Sequence, residues 1–184
     1  MTVPAPADPE PPSRSLDIDY HAARVLLLVA AFSGEQHSGI DSLTKLAKLD
    51  FLLRYPALLE QLAAVLSTWM PDYVRPTPQE KLAVESRMIR YKYGPWDERY
   101  YPVIGLLLGT GLVQSAPGKG KISLSPTEKG AEVARQISEG PSWEMVVWRC
   151  EYLAEFFDIS GSQLKELIYE HLPEVVDRPH RSII

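Results

Sequence analysis

Residues 87–130 read R-M-I-R-Y-K-Y-G-P-W-D-E-R-Y-Y-P-V-I-G-L-L-L-G-T-G-L-V-Q-S-A-P-G-K-G-K-I-S-L-S-P-T-E-K-G. From Arg87 to Tyr93 basic residues alternate with apolar or aromatic ones, the period of a short strand with one wet face. Gly94-Pro95 breaks that strand. Asp97 can cap a helix that runs to about Thr110 and stops at Gly111. Leu112 to Ala116 and Lys121 to Leu124 read as two strands around the turn Pro117-Gly118-Lys119-Gly120. Another helix opens within Ser125 to Gly130, with Pro126 suited to its first turn and Thr127 or Ser125 to its cap. The order strand, helix, hairpin, helix predicts a winged helix-turn-helix.

The flanking chain is helical by period. Asp17 or Asp19 caps a first helix from about Tyr20 to Ser33, whose V-L-L-L-V-A-A-F run is apolar nearly all round and belongs in the centre of the core. Asp41 or Ser42 caps a second helix, Leu43 to about Tyr55, with Lys45, Lys48 and Arg54 on its surface. Pro56 starts a third, Ala57 to about Met70, with Leu58, Leu59, Leu62, Val65, Leu66 and Trp69 inward. A short helix over Gln79 to Ser86 precedes the strand. The helix from Asp97 places Tyr101, Ile104, Leu107 and Leu108 inward. Gly105 and Gly109, four residues apart, share a stripe where another backbone can pack closely. After the hairpin come Glu128 to Ser138, an aromatic-rich helix from Ser142 to about Phe157, and a last one over Gln163 to His171. The expected class is mostly α with a small β-hairpin: a winged helix-turn-helix with additional N- and C-terminal helices.

The expected division is a Pro-rich, unstructured tail over 1–15, a winged-helix domain over 16–138 and a C-terminal helical extension over 139–184. Charge follows the same division. The net charge is −5. Residues 1–19 carry one basic and four acidic side chains, 20–138 carry 14 and 11, and 139–184 carry four and nine. A net acidic chain does not simply coat nucleic acid, whereas its mildly basic middle could touch phosphates.

Little in the sequence points to chemistry. One cysteine, Cys150, excludes an internal disulfide and a cysteine zinc site, and its helical setting beside Trp148 and Tyr152 reads as buried. His21, His37, His171 and His180 are scattered, with no pair at metal-ligand spacing; His21 reads as a surface or capping residue at a helix start. There is no nucleophile elbow, phosphate-binding loop or dinucleotide fingerprint. Asp97-Glu98 is a carboxylate pair in a helix first turn, where the macrodipole favours acids without catalysis. The expectation is a non-enzyme without cofactor or metal, cytoplasmic, with no membrane span or signal peptide.

Two segments carry a family resemblance. L-T-K-L-A-K-L-D-F-L-L-R-Y-P-A-L-L (43–59) resembles the signature of middle components in bacterial three-component ABC systems. Y-K-Y-G-P-W-D-E-R-Y-Y-P-V-I-G-L-L-L-G-T-G-L-V (91–113), followed by L-S-P-T-E-K-G (124–130), is similar to their winged-helix half. The resemblance covers roughly 40–138. It implies a small non-catalytic subunit bridging an SMC- or Rad50-like ABC ATPase and an effector in a Lamassu-like defence system.

Function is therefore expected in surfaces. Arg87, Arg90, Lys92, Lys119 and Lys121 are the candidates for phosphate contact with DNA, and Trp96, Tyr100 and Trp143, with the helix that follows it, for protein contact. The alternative is a winged-helix transcriptional regulator, usually a homodimer. Against it, the helix before the wing offers Arg99 alone opposed to Asp97 and Glu98, where a recognition helix brings Arg, Lys, Asn or Gln to base edges.

Overall fold

A computed structural model describes residues 17–82, 89–91, 94–117 and 122–176. The expected tail over 1–15 and the closing R-P-H-R-S-I-I lie outside these residues. Within them the protein is mostly helical, with two small antiparallel sheets.

Helix α1 (Ile18–Ala31) is the axis of the core. Asp17 caps it, accepting from the backbone amides of Asp19 and Tyr20, and Val25, Leu26, Leu28 and Val29 are buried. A helix apolar all round needs neighbours all round. Helices α5 (Tyr100–Gly109), α6 (Glu128–Ser138) and α7 (Glu144–Phe157) supply them. Helix α2 (Leu43–Arg54), capped by Ser42, packs against α7, against α3 (Pro56–Val65) and against α8 (Gly161–His171). Helix α8 opens with a Ser160–Gln163 capping box. Two short helices, α4 (Pro78–Leu82) and α9 (Pro173–Val176), complete the helical set described. Leu153, Phe157, Leu164 and Ile168 share one continuous core with α1 and α2, so no break in packing separates 139–176 from what precedes it.

The first sheet pairs β1 (Ile89–Tyr91) with β2 (Gly94–Trp96) in the register Ile89–Trp96, Arg90–Pro95, Tyr91–Gly94. Gly94-Pro95 therefore forms a return strand where the sequence predicted only a break. The second sheet pairs β3 (Val113–Ala116) with β4 (Ser123–Pro126). Pro126 closes that strand, and Thr127 caps α6 by accepting from the Gly130 amide at 3.0 Å. Ile40 adds a bridge to Leu124, with amide–carbonyl distances of 2.9 and 2.8 Å. Gly39 just before it has φ +93°, and a Cβ there would stand 2.5 Å from the Leu124 carbonyl oxygen.

Several inward assignments are corrected. Helix α3 ends at Val65, not Met70, because Ser67 turns left-handed (φ 54°). Trp69, beyond that turn, emerges to 74% exposure; Val65 and Leu66, at the helix end before it, are exposed as well, while Leu59 and Leu62 remain buried. On α5 the inward face is Tyr100, Val103, Ile104 and Leu107, leaving Tyr101 and Leu108 exposed. The helix starts at Tyr100, after a turn in which Asp97 Oδ1 accepts from the Arg99 backbone amide at 3.0 Å. Gly105 and Gly109 pack against nothing: a Cβ at either position meets no atom within 4 Å. Gly105→Ala in dilute solution should thus stabilise the fold by about 0.5–1 kcal/mol, the backbone entropy of an exposed helical glycine. A lower melting temperature would show that the site is packed after all.

Candidate functional site

Three segments bring charged side chains to one buried place. Helix α1 supplies His21 and Arg24, α2 supplies Asp50 and Arg54, and the turn into α5 supplies Asp97, Arg99 and Tyr100. Asp50 is fully buried. Its Oδ1 accepts from Arg24 Nε at 2.7 Å, and its Oδ2 accepts from Arg24 Nη2 at 3.1 Å and Tyr100 Oη at 2.7 Å. Arg54 Nη1 lies 3.7 Å from Asp50 Oδ2 and donates to Asp97 Oδ2 at 2.8 Å. Arg99 closes on the same Asp97 carboxylate through Nε and Nη2, at 2.8 and 2.6 Å. The His21 ring lies between Arg24 Nη1, 2.8 Å from Nδ1, and Arg99 Nη1, 2.6 Å from Nε2.

The fork geometry of guanidinium suits such doubly bonded carboxylates. Burial pushes the Asp50 carboxyl up, but the Arg24 and Arg54 charges and the hydrogen bonds from Arg24 and Tyr100 outweigh it, leaving the group below its usual range. Burial likewise opposes Asp97, and its bonds to Arg99 and the Arg54 charge hold it low. Burial and the adjacent Asp50 raise the Tyr100 phenol. Both carboxylates are thus locked as anions and Tyr100 as a neutral donor. The network ties the start of α5 to α1 and α2.

The cluster overturns several sequence assignments. His21 is 2% exposed, and Lys45, Lys48 and Arg54 are buried, not surface, residues of α2. Lys45 Nζ donates to Asp158 Oδ1 at 2.7 Å, beside His37 Nδ1, 2.7 Å from Oδ2. Lys48 donates to the Thr44 carbonyl at 3.1 Å, and burial together with Lys165 lowers its ammonium to about 8. Asp97 accepts from the Arg99 backbone amide at 3.0 Å, as a helix-start acid does, but it also faces inward to Arg54 and Arg99, while Glu98 stays exposed. A signal existed in the sequence for one of the cluster's charges: Arg24 interrupts the apolar run Ala22–Ala31, and a charge in such a run is buried only when paired.

Of the residues expected at a protein interface, Tyr100 is 3% exposed and its hydroxyl is bonded to Asp50, so it belongs to the core. Trp96 is half-buried, edge-on to Tyr100 at 5.4 Å and tilted against Tyr101 at 5.7 Å. Trp143 is half-buried at the start of α7, stacked on Tyr20 at 5.2 Å. Of those expected at phosphates, Arg87, Lys92, Lys119 and Lys121 lie outside the described residues, and Arg90 is placed by its backbone register alone. The sequence missed the exposed Trp69, the exposed Tyr73 with Trp148 edge-on at 5.0 Å, and the exposed Tyr101.

No family model matches the chain, and no curated protein or solved structure does either. Among the described residues, no group of three or more His, Cys, Asp or Glu side chains is placed to hold a metal ion, and no helix is long and apolar enough to cross a membrane.

Cys150 borders a cleft of about 440 Å³ between α1, α6 and α7, yet it is only 1% exposed. Burial, chiefly, pushes its thiol up. A thiol kept protonated and enclosed is a poor nucleophile. It should resist iodoacetamide at neutral pH in the native protein and react fully in denaturant; rapid native labelling, read by mass spectrometry, would contradict this burial.

Proposed function

We propose that this chain is a non-catalytic winged-helix accessory subunit that bridges an SMC- or Rad50-like ABC ATPase and an effector in a bacterial defence system. The observation that carries the reading is the outer face of α5. From Tyr100 to Gly109 the helix holds no charged residue, and it turns Tyr101, 66% exposed, and Leu108, 37% exposed, to the outside. A helix that reads bases needs polar or basic side chains there; an uncharged, aromatic and leucine-bearing face suits protein contact.

Support for the winged-helix part comes from element order. Helix α1, the Ile40 bridge to β4, α2, α5 and the β3–β4 hairpin follow one another as the parts of that fold do, with α3 through β2 inserted between its second and third helices. The ionic cluster would then serve to hold the third helix at a fixed angle. A bridging role calls for two contact faces. The second would lie at the end of α3 and in the segment that follows it, where Val65, Leu66, Trp69 and Tyr73 are exposed within nine residues and Trp148 stands edge-on to Tyr73. Exposed aromatic clusters of this kind mark interaction sites.

The test is a tagged pull-down from the native host at moderate salt, comparing wild type with Leu108→Glu and Trp69→Glu. Stoichiometric recovery of a coiled-coil ATPase, lost in one of the variants, is the expected result. Recovery of the chain alone, as a homodimer carrying DNA fragments, would replace the subunit by a transcriptional regulator.

A further inference from the structure

The outer face of α5 is complementary to itself. Its exposed residues are Tyr101, Pro102, Gly105, Leu108 and Gly109, and both glycines have open space where a side chain would stand. Two such helices set antiparallel about a two-fold axis at Gly105 bring positions equally distant from that residue opposite each other. Tyr101 then faces Gly109 of the second copy, and Leu108 faces Pro102 of the second copy. The large ring meets the glycine gap twice, once from each side, as an isologous contact requires. Helix rise places these two contacts about 12 Å apart.

Charge points the same way. Glu98, exposed just before α5, makes no ion pair among the described residues. At the other end the exposed Lys129 donates to the Thr110 carbonyl at 2.9 Å, setting a cation at the C-terminus of α5. The antiparallel arrangement carries Glu98 of each copy toward Lys129 of the other, at both rims of an uncharged centre, and opposes the two helix dipoles favourably. A parallel arrangement would set like charges together.

We infer that this face binds a second copy of the chain, through α5 packed antiparallel on α5 with Tyr101 in the gap at Gly109 and Glu98 paired to Lys129. The inference rests on reading the α5 face as a protein contact; the two-fold pair then presents two copies of the exposed region around Trp69 and Tyr73, which supply the two contacts that bridging calls for.

Sedimentation equilibrium of the full chain from about 1 to about 100 μM at low salt tests it, with circular dichroism confirming that each variant is folded. Wild type should rise with concentration from the monomer mass toward twice that value. Leu108→Glu, at an already exposed position, should weaken the association by at least about tenfold. Glu98→Lys alone and Lys129→Glu alone should each weaken it severalfold, whereas the double exchange should restore it, since each copy again presents opposite charges. A wild type that stays monomeric throughout, a dimer indifferent to Leu108→Glu, or a double exchange no better than either single one would overturn the proposal. Its failure is separable from failure of the subunit reading: a monomeric wild type that still recovers the ATPase, and loses it with Leu108→Glu, removes the self-pairing while leaving α5 as a contact face.

Discussion

Replacing Asp50 by alanine should lower the unfolding free energy by about 3–5 kcal/mol, the usual result of removing one partner from a buried ion pair. The cause is what remains. Arg24 and Arg54 are 4% and 2% exposed, and both lie against the Asp50 carboxylate. Without it, Arg24 is left in low dielectric beside a second guanidinium, and Tyr100 loses the acceptor of its hydroxyl. Asp50→Asn keeps the shape and one acceptor oxygen but not the charge, so it should fall between alanine and wild type. Urea denaturation at pH 7 measures both, and an alanine variant within about 1 kcal/mol of wild type would show that the cluster is solvated.

The same carboxylates fix the acid response. Asp50, Asp97 and Asp158 are held below their usual range, and Glu80, bonded twice by Arg149, is lowered to about 2. Unfolded carboxyls titrate near about 4, so the stability these groups contribute is complete above that pH. It is lost as the folded groups take up protons at lower pH. The Glu80 share should disappear between about pH 4 and about pH 2, where the unfolded chain binds the proton first. Asp50→Ala should flatten the low-pH side of the stability profile.

Gly130→Ala is expected to be nearly as damaging, at about 1–3 kcal/mol or more, although it adds one methyl group to a helix. Gly130 lies in the first turn of α6 and is buried against the chain that enters β3. A Cβ there would stand 1.7 Å from the Leu112 carbonyl oxygen and 2.7 Å from its carbon. The obstacle is backbone, which cannot rotate away as a side chain can. That carbonyl also accepts the Thr127 amide at 3.0 Å, so moving it disturbs the junction between β4 and α6. The higher helix propensity of alanine, about 1 kcal/mol, opposes the clash and does not match it. Thermal unfolding beside Gly105→Ala gives the contrast: the same substitution is favourable on the open face of α5 and costly where α6 meets Leu112.

Caps and periods were the legible part of this chain. Asp17, Ser42, Thr127 and Ser160 mark helix starts because each side chain bonds an amide two or three residues ahead, an interaction confined to a few neighbouring positions. Gly111, with φ +68°, marks the end of α5 for the same local reason. Two short strands over this stretch were expected, and β3 pairs with β4; of the turn expected between them, residues 118–120 lie outside the described residues. The sequence by itself therefore determined a mostly helical protein with a small β-hairpin and the position of its principal helices. What it left undecided depends on segments far apart in the chain. Asp97 does accept from the Arg99 amide at 3.0 Å, as a cap would, but its burial against Arg54, 43 residues earlier, lay beyond any local reading. Trp69 matched the inward period of α3 until a left-handed Ser67 ended the helix before it. Lys45 found its partner in Asp158, 113 residues away. Whether a charge is buried or an aromatic exposed is settled by the free energy of the assembled neighbours, chiefly desolvation against pairing, and only the tertiary structure brings those neighbours together.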